Sequence, residues 1–451
     1  VSTTAPVTGD LTNRRILKIA VPVVLSNATV PILGAVDTGV VGQLAEAAPI
    51  AAVGAGAIIL SSVYWIFGFL RMGTTGLAAQ ALGADDRGEV VALLSRALLI
   101  GAAAGIALIA VQSALFAGAF RIAPTTDEVE GLARQYMSIR ILSAPAAIAI
   151  YGLTGWLIAQ ERTTAVLLLQ LAMNGANIAL DLWFVLGLDW GVPGVAWATF
   201  IAEWTGVGLA IWFCRDAFVG PEWRDRAQIL NPDRLRRMVA VNTDILIRSV
   251  LLQATFASFL LTGGVFGTAT LAANQVLLQF VYITSYALDG FAFAVEALVG
   301  RFFGAGDRCR LRRAVKLCGW WAVGTSVAVS LAYVFAGGPL INLMAKAEDV
   351  RAVAPSYLPW VWLMPVLGVG AFMLDGVFIG ATRTRDMRNM MIVSFVVYLA
   401  ALAVLVPWLG NHGLWAALMV SFVVRGVTLG LRYPALEAAS LATAPQPLRQ
   451  T

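Results

Sequence analysis

Residues 171–183 read LAMNGANIALDLW, and Asn174, Asn177 and Asp181 are the groups there that could do chemistry inside an otherwise apolar run. Spacings of three and four residues put them on one face of an α-helix, aimed at a single neighbour or cavity. Asp37 stands in a second apolar run, ILGAVDTGVVGQL, and Thr199 in a third, GVPGVAWATF; Thr154, in YGLTGWLIAQ, is expected to line the same lobe nearer the cytoplasm. Two carboxylates among amide and hydroxyl oxygens suit a proton or a hard cation. The competing reading is a hydrogen-bond cluster that only fixes helix packing.

A second set of charges lies further along the chain. Asp244, Asp289, Glu296 and Asp375 fall in apolar surroundings, with Arg248 and Arg425 at broadly matching depths. Each charge at a bilayer centre costs about 2.5–3.5 kcal/mol, so ion pairing is the first explanation. Arg248 is expected to pair with Asp289, and Arg425 with Asp375. Glu296 has no evident partner unless Arg71 reaches it, and with Asp289 and Asp375 it forms a second group of candidates for substrate binding or coupling. Pro22 and Pro31 bracket the approach to Asp37 and permit bending of that helix. Cys214, Cys309 and Cys318 have no metal-ligand spacing, and His412 alone makes neither a metal site nor a base relay. No metal site and no cofactor are expected.

The elements that carry these groups follow from composition. Of 451 residues, 59% are hydrophobic and 13% charged, against roughly 25% charged in a soluble domain. Apolar stretches of about 20–30 residues recur along the whole length, each able to cross a hydrocarbon core. Twelve are expected, which makes an all-α integral membrane protein. The first stretch is too long for a cleavable signal. Most Lys and Arg fall in the tails and in alternate links, so both termini are expected on the cytoplasmic side. The basic segments read as anchors rather than nucleic-acid contacts. No large soluble domain is expected, which argues against an ATP-driven pump, and no constellation of nucleophile, base or metal argues for an enzyme.

The chain also repeats itself. GWLIAQERT from residue 155 matches GVFIGATRT from 376, and LAAQALGADDR from 77 matches LVGRFFGAGDR from 298, both at an offset of 221 residues. Six spans per copy is an even number, so the copies enter the membrane in the same direction and are expected to be related by a pseudo-two-fold axis along the membrane normal. The expected organisation is a tail over 1–14, an amino-terminal six-helix lobe over 15–214, a basic linker over 215–237, a carboxyl-terminal lobe over 238–434 and a tail over 435–451. Two lobes that rock against one another suit a transporter.

AVDTGVVGQL, NIALDLWFVLGL, GVAWATFIAEW, ALDGFAFAVEALVG and LDGVFIGATRTRDMRNMM, in that order, resemble the multidrug and toxic compound extrusion family, in the branch named after the DNA-damage-inducible protein F. The resemblance runs from about residue 12 to 434. It implies export of amphipathic or cationic organic compounds, driven by inward movement of protons or sodium ions, by a multi-pass protein of the bacterial inner membrane working as a monomer in the lipid bilayer. It also implies that Asp37, Asn177, Asp181 and Thr199 form the cation site, with Asn174 and Thr154 as further lining. Sodium would bind at Asp37, Asn177 and Asp181. Many members have asparagine in an NGxLRG motif of the fourth span where this chain has Thr154 and Ile158, which leaves fewer oxygen donors and favours protons over sodium. The alternative is a flippase for lipids or lipid-linked oligosaccharides, which calls for many more basic residues in the cavity.

Overall fold

In a computed structural model of the chain the described residues are 11–43 and 47–443; of residues 30–38, 41, 442 and 443 only the backbone is described. The long helices are α1 Asn13–Val41, α2 Ala47–Ile66, α3 Phe69–Gly83, α4 Arg87–Ala110, α5 Gln112–Ile122, α6 Asp127–Arg140, α7 Ala144–Ala159, α8 Thr163–Asp181 and α9 Gly191–Phe213. After a short α10, Arg226–Ile229, come α11 Pro232–Gly263, α12 Thr268–Gly304, α13 Arg308–Met344, α14 Glu348–Gly380, α15 Thr384–Leu409 and α16 Asn411–Ala439. There is no strand among the described residues. Eleven stretches among them are long and apolar enough to cross a membrane, the first being α2 and α3 taken together. Eleven of the twelve expected spans are thus met among the described residues; α1, of 29 residues, is a helix part of whose side chains lies outside them.

Several spans have joints. The span Asp127–Ala159 breaks into α6 and α7 at a 3-10 turn, Ile141–Ser143, and Pro145 sits in the first turn of α7. Proline has no N–H to give and is tolerated where the helix would leave that donor unused. The helix is likewise divided at Val111, between α4 and α5. By contrast α14 continues through Pro355, Pro359 and Pro365.

The chain forms two compact units, one of Val1–Val24, Ala79–Asp85 and Arg236–Thr451, the other of Leu25–Ala78 and Asp86–Leu235. The start of α1 and the end of α3 thus group with the carboxyl-terminal half rather than with the lobe expected over 15–214. Close backbone packing is the reason. A Cβ on Gly83 would stand 1.9 Å from the Arg301 carbonyl oxygen, and one on Gly304 would stand 2.1 Å from that of Gln80. Only glycine permits this approach of α3 and α12. Gln80 then donates its amide to the Gly380 carbonyl at 3.1 Å and to Thr382 Oγ1 at 3.0 Å, and receives Arg237 at 2.6 Å. Each unit has its own apolar core, around Phe259, Phe280, Tyr333 and Trp415 in one and around Leu60, Tyr136, Met137 and Ile141 in the other.

The repeat is visible in the turns. After α3, Asp85 takes a φ of +56° and Asp86 caps α4 by accepting from the Glu89 N–H at 3.0 Å; after α12, Gly306 takes +69° and Asp307 caps α13 by accepting from the Arg310 N–H at 2.9 Å. After α7, Glu161 takes +61° and the Arg162 N–H reaches the Leu157 carbonyl at 2.9 Å; after α14, Thr382 takes +49° and the Arg383 N–H reaches Phe378 at 3.0 Å. A left-handed residue followed by a bond spanning five residues closes a helix whatever its side chains.

The segment between the copies is folded. Arg96 of α4 donates Nε to the Ile229 carbonyl at 2.7 Å and Nη2 to that of Gln228 at 2.6 Å, and pairs with Glu89 at 2.7 Å. Arg234 bridges Asp86 and Glu89 at 2.9 and 2.8 Å.

Candidate functional site

Asn174, Asn177 and Asp181 are buried on α8, at 5%, 2% and 0% exposure, in a helix whose other face is apolar. They share a face, and its hydrogen bonds reach two neighbours, α1 and α9. Asn174 donates to Thr29 Oγ1 of α1 at 2.9 Å and accepts from Gln170 at 3.2 Å, while Thr29 donates to the Ser26 carbonyl at 2.7 Å. Asn177 Nδ2 donates to Asp181 Oδ2 at 2.9 Å and meets Thr199 Oγ1 of α9 at 3.4 Å; Thr199 in turn donates to the Val195 carbonyl at 3.1 Å. The structure thus brings three of the four expected cation-site residues together.

The fourth, Asp37, lies on α1, and its side chain and that of Pro31 are outside the described residues. Pro22 is half-buried within α1, which is helical from Asn13 to Val41. Thr154, half-buried on α7, makes no hydrogen bond with the cluster among the described residues. Two features were not expected. Gln170 and Thr29 extend the polar row, and Gln170 was legible as the residue four before Asn174 on the same face. Directly after Asp181 the helix widens into a π-helical turn, Leu182–Gly187, with Phe184 stacked on Trp190 at 4.8 Å. Such widened turns recur at functional sites because they re-aim side chains and loosen the backbone ladder.

The cluster's chemistry follows from its donors. Asn177 offers its amide N–H to a carboxylate buried from water, a charge-assisted bond. As arranged, the amide oxygen is turned away from Asp181. A sodium ion on this carboxylate would need that oxygen reversed; a proton needs no reversal.

The second-lobe candidates are disposed differently. Arg425 pairs with Asp375 as expected, its Nε at 3.8 Å from Oδ2, but Arg248 also goes to Asp375, hydrogen-bonding the same oxygen, and not to Asp289. Asp375 is 5% exposed whereas Asp289 is half-buried, and the carboxylate with least water has most to gain from a counter-charge. Asp244 is held by Arg388 at 2.6 Å and Thr384 at 3.0 Å. Glu296 is buried on α12, where α14 passes close enough that a Cβ on Gly380 would stand 2.3 Å from its carbonyl oxygen. Arg140 and Glu203 form a further ion pair at 3.1 Å that the sequence did not suggest. Cys214 is buried, and burial pushes its thiol up to about 12, against the weaker pull of Arg162. His412 is exposed and accepts from Trp360 at 3.1 Å.

Comparison with known proteins gives a consistent answer. The family profile described as MatE matches twice, over residues 22–183 and 245–405. DNA damage-inducible protein F of Escherichia coli K12 is 38% identical over 415 residues, covering 91% of this chain and 90% of that one. A probable multidrug resistance protein NorM of Thermotoga maritima is 25% identical over 441 residues, covering 91% and 90%. Among solved structures, the Vibrio cholerae MATE transporter VcmN in its bent form has the same fold, with a TM-score of 0.85 at 19% identity over 96% of this chain and 98% of that one.

Proposed function

The chain belongs to the multidrug and toxic compound extrusion family of membrane transporters, and on that premise we propose that it exports amphipathic or cationic organic compounds in exchange for protons entering at Asp181. It is a multi-pass transporter, not an enzyme. The observation that carries the proton reading is the buried Asn177–Asp181–Thr199 cluster, in which the Asn177 amide donates to one oxygen of the carboxylate. Asp37 of α1 completes the site in this reading, with Asn174 and Thr154 as lining. Sodium is the weaker reading because it asks Asn177 to turn over.

A proton drives export only if it binds the two conformations of the transporter with different affinity. Protonation of a buried carboxylate changes its partners from donors to acceptors, so α8 and its neighbours have a reason to differ between the two states. An inward proton adds about 2.3 kcal/mol per 100 mV of membrane potential where the exchange moves net charge. In this reading the protein works as a monomer in the bacterial inner membrane with both termini cytoplasmic, and bending of α1 at Pro22 and Pro31 accompanies the change.

The test is drug transport in everted vesicles under an imposed proton gradient, with and without sodium. Asp181→Asn and Asp37→Asn keep size and hydrogen bonding and remove the titrating group. Both are expected to insert normally and to fall to background export. Export by Asp181→Asn at the wild-type rate would remove that residue from coupling, and export driven equally by sodium alone would replace the proton.

A further inference from the structure

Buried charge in the carboxyl-terminal unit does not balance around Asp375. Arg248 of α11, Arg425 of α16 and Asp375 of α14 are 8%, 3% and 5% exposed. Both guanidiniums address one carboxylate oxygen: Arg248 is hydrogen-bonded to it, while Arg425 Nε lies 3.8 Å away, beyond hydrogen-bond reach. The charges that act on Arg425 are Asp375 and Arg248, one opposite and one like. Asp244 is already bound by Arg388 and Thr384. Nε of Arg248, Nε of Arg425 and Oδ1 of Asp375 have no hydrogen-bond partner although all are buried.

A structural ion pair needs one arginine here, and the second is surplus. A buried, uncompensated cation and two unused N–H donors are each unfavourable, so the arrangement is complete only when an anion joins it. Guanidinium groups present planar forks that match carboxylate, sulfonate or phosphate oxygens. The apolar side is supplied as well. The Arg425 guanidinium lies 5.8 and 5.3 Å from the ring centres of Phe372 and Phe422, which stack on each other at 5.9 Å. We propose that Arg248 and Arg425 form an anion-binding site within the carboxyl-terminal unit that takes the acidic head of an amphipathic molecule, its apolar part lying against Phe372 and Phe422. The site belongs to a different unit from Asp181 and does not depend on the proton reading.

Equilibrium dialysis of the full chain in nanodiscs of uncharged lipid tests this, with radiolabelled 2-naphthalenesulfonate as probe and neutral 2-naphthalenesulfonamide as its control. Saturable binding of the sulfonate, one per chain, and none of the sulfonamide is expected. R425Q leaves the Arg248–Asp375 pair in place, removes the surplus charge, and is expected to weaken binding by about tenfold or more, the worth of a charged hydrogen bond. D375N leaves both cations without their acid and is expected to tighten it, whereas R310Q, on α13 of the same unit, is expected to change nothing. If D375N does not fold, R248Q takes its place and is expected to weaken binding as R425Q does. Displacement by phosphatidylglycerol alone assigns the site a lipid head, and displacement by inorganic phosphate as well assigns it a small phosphate; both sustain an anion site. Equal binding of sulfonate and sulfonamide, or undiminished sulfonate binding by R425Q, overturns it.

Discussion

In the amino-terminal copy of the repeat, α8 carries Asn174, Asn177 and Asp181; 221 residues on, α15 of the carboxyl-terminal copy carries Phe395, Tyr398 and Leu402 at the same register. The exchange runs the other way one helix earlier, where Thr154 of α7 answers to Asp375 of α14. Polar groups in the first copy gather on α8, where a carboxylate accepts from an amide. In the second they gather around α14, where the carboxylate is outnumbered by arginine. The turns after α3 and α12, and after α7 and α14, meanwhile match, down to the left-handed residue in each. Backbone hydrogen bonds and caps hold the duplicated framework and place few demands on lining side chains, so the two copies are free to acquire opposite electrostatics.

The comparison is broken most forcefully at Asp375. Asp375→Ala leaves two buried arginines with no acid and is expected to cost about 3–5 kcal/mol, read as a lower yield and a lower melting temperature in detergent. The described hydrogen-bond partner of Asp181, Asn177, is neutral, so Asp181→Ala is expected to lower the melting temperature much less. Equal losses would mean that the two clusters do the same structural work.

Asn177→Ala sharpens the other side. It removes the donor of the 2.9 Å bond to Asp181 Oδ2, and a hydrogen bond to a charged group is worth about 1.5–3 kcal/mol. The pH dependence of export is expected to shift, measured as drug transport in everted vesicles across a pH series. A midpoint that stays in place would separate Asn177 from coupling.

A smaller effect is expected at Tyr398, the counterpart of Asn177. Its hydroxyl donates to the Thr255 carbonyl at 3.2 Å and accepts from Ser258 at 3.2 Å. Tyr398→Phe is expected to cost about 1 kcal/mol in thermal unfolding and to leave the pH profile of export unchanged.

The smallest difference concerns the thiols. Cys309 is exposed, while Cys214 and Cys318 are buried. Maleimide at neutral pH is expected to label Cys309 alone, as counted by mass spectrometry, because the thiolate is the reacting form and burial disfavours it.

Composition and periodicity were enough for an all-α membrane protein with a duplicated plan, because a segment that crosses hydrocarbon must be apolar over about 20 residues and must satisfy its own backbone. The stripe of Asn174, Asn177 and Asp181 was equally legible, since a helix converts spacing into a face. Helix spacing does not say which neighbour that face meets, and so Thr29 for Asn174 and Thr199 for Asn177 were decided by packing. Ion pairing went the same way. Depth along a span made Arg248 a match for Asp289, but relative burial and the approach of α14 gave it to Asp375. The grouping of the α3 end with the carboxyl-terminal half needed Gly83 and Gly304 to meet carbonyls far away in the chain. Sequence thus determined what each helix could bury, through local rules of apolarity and period. Which buried group answers another was settled only in three dimensions, because a charge out of water takes the partner that lies within a few ångströms, however distant in the chain.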